Sequence, residues 1–215
     1  MVAETQHYFK KVIEKIKFNF IPVIDTENNS IFGYKIIKDF SDLGFEDKDE
    51  MYQMAYDEGF FEFFVLKLQE KAYKLALEKG LNNKKLFYTL RVNFVKDMDF
   101  FFRSIESLVN KFNLSYEQLI FEIKGISNWQ QFSEVMDYID EGYECLIKEN
   151  NTYPLNFQMI DLVEPNLIEI KNLDTLKLLK KSLSIHSKIL YKQPKKGKHS
   201  INYLHNLGIN YIYEY

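Results

Sequence analysis

A chain of 215 residues with 46% apolar and 27% charged residues holds enough apolar material for one sizeable core, in the balance usual for a globular protein. Its formal net charge of −3 excludes a nucleic-acid binder that works through a broadly basic face, and its lone cysteine, Cys145, excludes a disulfide framework and a cysteine-rich zinc site. No stretch approaches the ~20 apolar residues of a membrane span and "MVAETQHYFKK" lacks a signal-peptide core, so a cytoplasmic protein with no membrane or nucleic-acid partner is expected.

In chain order, "FNFIPVID" (18–25) and "IFGYKIIKDF" (31–40) are β-branched and aromatic runs flanking "TENNS", a polar turn suited to an antiparallel hairpin. From Met51 to Lys79, the apolar positions Phe60, Phe61, Phe64, Val65 and Leu68 predict one long helix that stops at Gly80. A strand over 85–94, a helix near 98–112 and the strand "LIFEIKG" (119–125) follow. Next come a helix from Trp129 to Glu141, a strand near 144–149, a loop carrying Pro154 and Pro165, and a strand over 166–171. The chain continues with a helix over 173–186, the strand "KILYKQP" (188–194), a short helix near 200–207 closed by Gly208, and a last strand "INYIYEY". Strands separated by helices of this length predict parallel βαβ units, and about eight of them in a unit of this size predict a closed β/α barrel, a single domain over 1–215.

Taken in order and spacing, these segments resemble the EAL-type cyclic-di-GMP phosphodiesterases over nearly the whole chain. The hairpin resembles the family's opening "YQPIVDLKTGEIVGYEAL", "LRVNF" its "xVNxS", and "LIFEIKG" its "LxLEITE". "GYECLIKEN" resembles "GxxIALDDF", "PNLIEIKN" resembles "VDxIKID", "KILYKQP" resembles "xVIAEGVE", and "LGINYIYEY" resembles "LGxDYxQGY". The resemblance implies an α/β fold, a modified (β/α)8 TIM-like barrel with an antiparallel first strand and its site at the C-terminal mouth. In the family, carboxylates and an Asn at the strand ends hold two divalent cations that activate a water against a phosphodiester.

By the same resemblance, Asn93 and Glu122 stand at two ligand positions, but the others carry different chemistry. The Glu of the EAL signature is Lys35, the two aspartates of DDFG are Lys148 and Glu149, and the Lys and Asp of KID are Glu169 and Lys171. The Glu opening EGVE is Lys192, the Gln of QGY is Tyr213, the phosphate-holding Arg falls at Asp39, and the glycine-rich loop after DDFG is "NTYPLN" (151–156). A protonated ammonium has donors and no lone pair, so lysines cannot ligate Mg²⁺ or Mn²⁺ in place of carboxylates. The resemblance therefore implies no catalytic residue, no metal and no cofactor, with Asn93 and Glu122 as vestiges.

Two readings of the mouth stay open. One is an internal ion-pair network in which Glu122, Glu149 and Glu169 partner Lys35, Lys148, Lys171 and Lys192, with Tyr213 plugging the opening. The other is a lysine-lined site for a phosphate or nucleotide. The functional expectation is a catalytically inactive EAL-like domain, a protein-interaction or regulatory module in bacterial signalling. Its partner is an unknown regulatory protein, and a homodimer fits the family's pairing through barrel helices. The alternative is a non-hydrolysing nucleotide or anion sensor. With Asp39 in place of Arg, cyclic-di-GMP itself is not expected to bind. His7, His186, His199 and His205 have no metal-binding spacing, and Cys145 reads as packing. The aromatic clusters "GFFEFFVL" (59–66) and "DFFF" (99–102) cannot all face one core at a 3.6-residue period, which leaves either oversized packing or an interaction stripe.

Overall fold

The computed structural model describes residues 2–44, 48–126, 128–140, 142–149, 155, 157–182 and 186–214. The β-branched and aromatic runs form eight strands that close in chain order: β1 (Lys17–Asp25), β2 (Ile31–Asp39), β3 (Lys85–Arg91), β4 (Leu119–Lys124), β5 (Glu144–Lys148), β6 (Leu167–Ile170), β7 (Lys188–Gln193) and β8 (Tyr211–Glu214). β1 is antiparallel to both neighbours, β2 and β8, and every other junction is parallel. This is the modified barrel that the sequence implies. Outside it pack α1 (Val2–Lys15), α2 (Lys48–Asp57), α3 (Phe61–Glu78), α4 (Met98–Lys111), α5 (Trp129–Asp140), α6 (Phe157–Val163), α7 (Leu173–Ser182) and α8 (Ile201–Asn206).

Three differences from the sequence reading have local causes. The single helix expected over 51–79 is two, because Gly59 takes φ +74° and ends α2 with paired turns, Phe60 N–H to the Ala55 carbonyl and Gly59 N–H to that of Tyr56. α1 is additional. It buries Phe9 and Val12, with Ile16 buried just past its end, and that end is tied down by Lys71 of α3, which donates to the carbonyls of Ile13, Glu14 and Ile16, each at 2.8 Å. α6 occupies part of the span read as a loop between Pro154 and Pro165. The expectations for Glu141, residues 151–154 and 156, residues 183–185 and Tyr215 lie outside the described residues.

The aromatic clusters divide by helical face. Phe61, Phe64, Phe101 and Phe102 are buried, whereas Phe100 is 57% exposed. Inside the barrel, Val23, Phe87, Ile120, Leu146, Leu167, Leu190 and Tyr211 form an apolar layer with Tyr213 above it. At the other end of the strands Lys85 Nζ and Glu144 Oε1 pair at 2.5 Å, and Phe32 stacks on Tyr211.

Among the described residues the closure between β1 and β8 involves two residue pairs, Ile24 with Ile212 and Asp25 with Tyr211. Buried Thr26 reinforces it: its N–H donates to the Asn210 carbonyl at 3.0 Å and its hydroxyl to that of Ile209 at 2.6 Å. Where β2 meets β3, Gly33 leaves room for the Lys85 backbone, and a Cβ there would run into the Lys85 carbonyl oxygen and lie 2.7 Å from its Cβ. Gly33→Ala is expected to lower the unfolding free energy by about 2 kcal/mol or more in urea titrations, with the m-value unchanged.

Candidate ligand site at the barrel mouth

Side chains alternate across a strand, so stepping two residues along each strand from the apolar layer reaches the next row of the interior. From Phe87, Ile120, Leu146, Leu167, Leu190 and Tyr211 this step arrives at Thr89, Glu122, Lys148, Glu169, Lys192 and Tyr213, with Lys35 contributed by β2. The strand register agrees, pairing Thr89 with Glu122, Lys148 with Glu169, and Lys192 with Tyr213. A second step of two reaches Arg91, Lys124 and Lys171 at the rim. An apolar floor thus carries a charged row and then a basic rim.

The charged row is a chain of contacts around one ammonium. Lys35 Nζ donates to Glu169 Oε2 and lies 3.5 Å from Glu122 Oε2. Lys148 Nζ lies 2.5 Å from Glu122 Oε1, and the Tyr213 hydroxyl donates to Glu169 Oε1 at 2.8 Å. Lys35 also sits over the Tyr213 ring, 5.0 Å from its centroid. Lys35, Glu122, Glu169 and Tyr213 are all buried. Burial opposes ionisation of Glu122, but the ammonium groups of Lys35 and Lys148 outweigh it and lower its pKa to about 2. For Lys35, burial works against the charge, yet Glu169 and Glu122 prevail and raise its pKa. Burial and the adjacent Glu169 raise the Tyr213 phenol.

Among the described residues, seven cationic side chains (Lys35, Lys38, Arg91, Lys124, Lys148, Lys171 and Lys192) and two carboxylates, Glu122 and Glu169, line a cavity of about 240 Å³. Burial lowers the pKa of Lys192, with Lys171, Lys35 and Lys148 adding to the effect against Glu169. Lys38 donates to the Thr89 carbonyl at 3.1 Å and lies 4.1 Å from the Tyr88 ring centroid.

Two sequence-derived positions fall elsewhere. Glu149 does not face the mouth: its carboxylate accepts from the backbone N–H of Lys171 at 2.7 Å and the hydroxyl of Thr175 at 2.8 Å, fixing the turn into α7. The step of two explains this, because residue 149 has the opposite parity to Lys148. Asn93 lies past the end of β3 and does not line the cavity, since its side chain fills the space where Gly125 has no Cβ. Arg91, Lys124 and Lys38 were not among the sequence-derived residues. For Arg91 and Lys124 the signal was present, two residues beyond Thr89 and Glu122 on the same strand face.

The donor set does not fit a pair of divalent cations. The two carboxylates facing the mouth are already engaged by ammonium and phenol donors, and Lys35 Nζ occupies the position between them. Among the described residues no three Asp, Glu, His or Cys side chains come together as a metal would require. Cys145 is buried and its thiol is pushed up to about 12 by burial, which suits packing.

The Glu122 carboxylate stabilises the fold in full above its unfolded pKa near 4.5, and that contribution is lost as pH falls toward 2. Urea titrations are therefore expected to show stability declining between pH 4.5 and 2, with Glu122→Gln flattening that decline. Lys35→Met leaves two buried carboxylates without their shared cation. It is expected to cost about 3–5 kcal/mol at pH 7, and less near pH 4 where a carboxylate takes up a proton.

No family model and no curated protein matches this sequence. Solved structures do match in fold. The Bacillus subtilis YkuI protein, which has an EAL domain and was solved with its substrate c-di-GMP and calcium, aligns with TM-score 0.68 at 15% identity, covering 97% of this chain and 55% of YkuI. A standalone EAL protein from Vibrio cholerae O395, bound to c-di-GMP, aligns with TM-score 0.67 at 15% identity over 94% of this chain and 91% of its own. The EAL enzyme Bd1971, bound to cAMP and cyclic-di-GMP, aligns with TM-score 0.73 at 12% identity, and the chain spans 65% of its length. The exclusion of cyclic-di-GMP does not stand: proteins of this fold are bound to it. That exclusion rested on Asp39 alone, whereas Arg91, Lys38 and Lys124 bring cations to the mouth from other positions. At identities of 12–15% the likeness establishes architecture, and the chain has the fold of EAL domains.

Proposed function

We propose that this barrel is a catalytically silent regulatory module that recognises a phosphodiester nucleotide, with cyclic-di-GMP as the leading candidate, through its cationic mouth. The observation that carries the reading is the sign of the charge. The cavity is lined by seven cations and two carboxylates, and both carboxylates are engaged with Lys35 and its neighbours. Adding Asp49 and Glu149 at the margin leaves the cations ahead among the described residues, seven to four. A concave site with surplus ammonium and guanidinium groups favours phosphate oxygens.

Hydrolysis is not part of this proposal, because two engaged carboxylates do not supply the shell that a pair of divalent cations needs. The nucleotide is a signal to be held, and the output is the complex itself. A second reading, a module that docks a protein partner, is favoured by a groove of about 430 Å³ lined by Tyr56, Phe63, Phe94 and Phe100. The two readings are compatible, since the groove and the mouth share no lining residue.

Calorimetric titration with cyclic-di-GMP in EDTA, repeated in Mg²⁺ or Mn²⁺, tests the proposal, with each mixture assayed for the linear dinucleotide. The expected result is binding that is independent of metal and yields no linear product, weakened about tenfold by Lys192→Met. Metal-dependent production of the linear dinucleotide would overturn the claim of silence. Absence of binding in every condition would overturn the nucleotide reading and leave the aromatic groove as the working site.

A further inference from the structure

Arg91 and Lys124 are register partners on β3 and β4, so two cations stand side by side at the rim. Like charges directly opposite on neighbouring strands repel, and an anion between or beside them relieves the repulsion. The chain supplies one. Asp49, in the first turn of α2, pairs through Oδ1 with Arg91 and lies 4.0 Å from Lys124 Nζ. Arg91 is held in place for this contact: its side chain is 11% exposed and its guanidinium lies 4.1 Å from the Tyr52 ring centroid. Asp49 differs, its side chain being 58% exposed. A fixed receptor thus faces a solvent-exposed occupant.

We propose that Arg91 and Lys124 form the receptor for a phosphate group of the ligand, and that the Asp49 carboxylate fills this receptor until the ligand displaces it. The inference rests on the nucleotide reading above and adds the residues that would grip the phosphate and the group that competes for them. A guanidinium donates to carboxylate and phosphate oxygens alike, so a phosphate oxygen can take the place that Asp49 Oδ1 holds against Arg91. Asp49 is 58% exposed, so water solvates its carboxylate when the ligand takes its place. Lys124 is consistent with this arrangement: burial and then Arg91 lower its pKa, and Asp49 opposes them. The affinity of the mouth is then set by the competition between an internal carboxylate and an external phosphate.

The test is a double-mutant cycle on the full chain, titrated with cyclic-di-GMP and separately with inorganic pyrophosphate, using wild type, Asp49→Asn, Arg91→Met and the double variant. Asp49→Asn is expected to tighten binding by roughly three- to tenfold, and Arg91→Met to weaken it more than tenfold. The gain from Asp49→Asn is expected to vanish in the Arg91→Met background, which a general loss of packing around Tyr52 would not produce. Arg91→Lys keeps the charge without the fork, and its expected affinity lies between those of wild type and Arg91→Met. A gain from Asp49→Asn that persists without Arg91, or no gain while wild type still binds, would overturn this inference and leave the nucleotide reading standing. Failure of every variant to bind either probe would overturn both.

Discussion

One buried ammonium organises the mouth of this barrel. Lys35 projects from β2 between Glu122 of β4 and Glu169 of β6, and without it two carboxylates would confront each other above an apolar floor. The low-dielectric layer beneath strengthens every interaction in the row, favourable or not, so the row holds only while its charges alternate. Lys148 and the Tyr213 hydroxyl complete the alternation at either end. The strands that meet here are far apart in sequence, and this ion chain binds them at the open end as the apolar layer does below.

The same arrangement explains why the ion-pair and anion-binding readings of the mouth need not compete. They describe different rows. In the lower one Lys35, Glu122, Lys148 and Glu169 compensate one another, and Lys192 adds a further cation. The upper one, from Arg91 to Lys124 and Lys171, carries the positive excess that faces solvent. A scaffold whose inner carboxylates are both compensated can display a net cationic rim without unfolding, because Asp49 pairs with Arg91 and Lys124 keeps access to water.

The fold was largely legible because its signals are local and periodic. Alternating strands, the polar turn at residues 26–30 and helices of regular spacing defined the barrel, and the order of short segments suggested the antiparallel first strand. Gly59 was read as part of a helix because one glycine within a long apolar periodicity is a weak stop signal until its φ is known. α1 went unread because its apolar face is narrow, and Lys71, fifty-five residues beyond Ile16, closes its end. Within the site, Lys35, Glu122, Lys148 and Glu169 followed from aligned segments, whereas Glu149 was misplaced by one residue of strand parity. Arg91 and Lys124 were overlooked for a different reason. The alignment directed attention to former ligand positions, and a rim cation two residues further on has no counterpart there.

The narrow closure between β1 and β8 has a mechanical meaning. Most junctions of the cylinder are parallel and backed by a crossing helix, but this one is antiparallel, two pairs wide and secured mainly by Thr26. A joint this narrow leans on one side chain, so Thr26 supplies between the amino-terminal hairpin and the last strand what a longer ladder supplies elsewhere in the cylinder. Lys35 travels with that hairpin. The hairpin that Thr26 fastens to the last strand is thus also the arm that sets the central cation between Glu122 and Glu169, coupling the seam of the wall to the charge balance of the chamber it encloses.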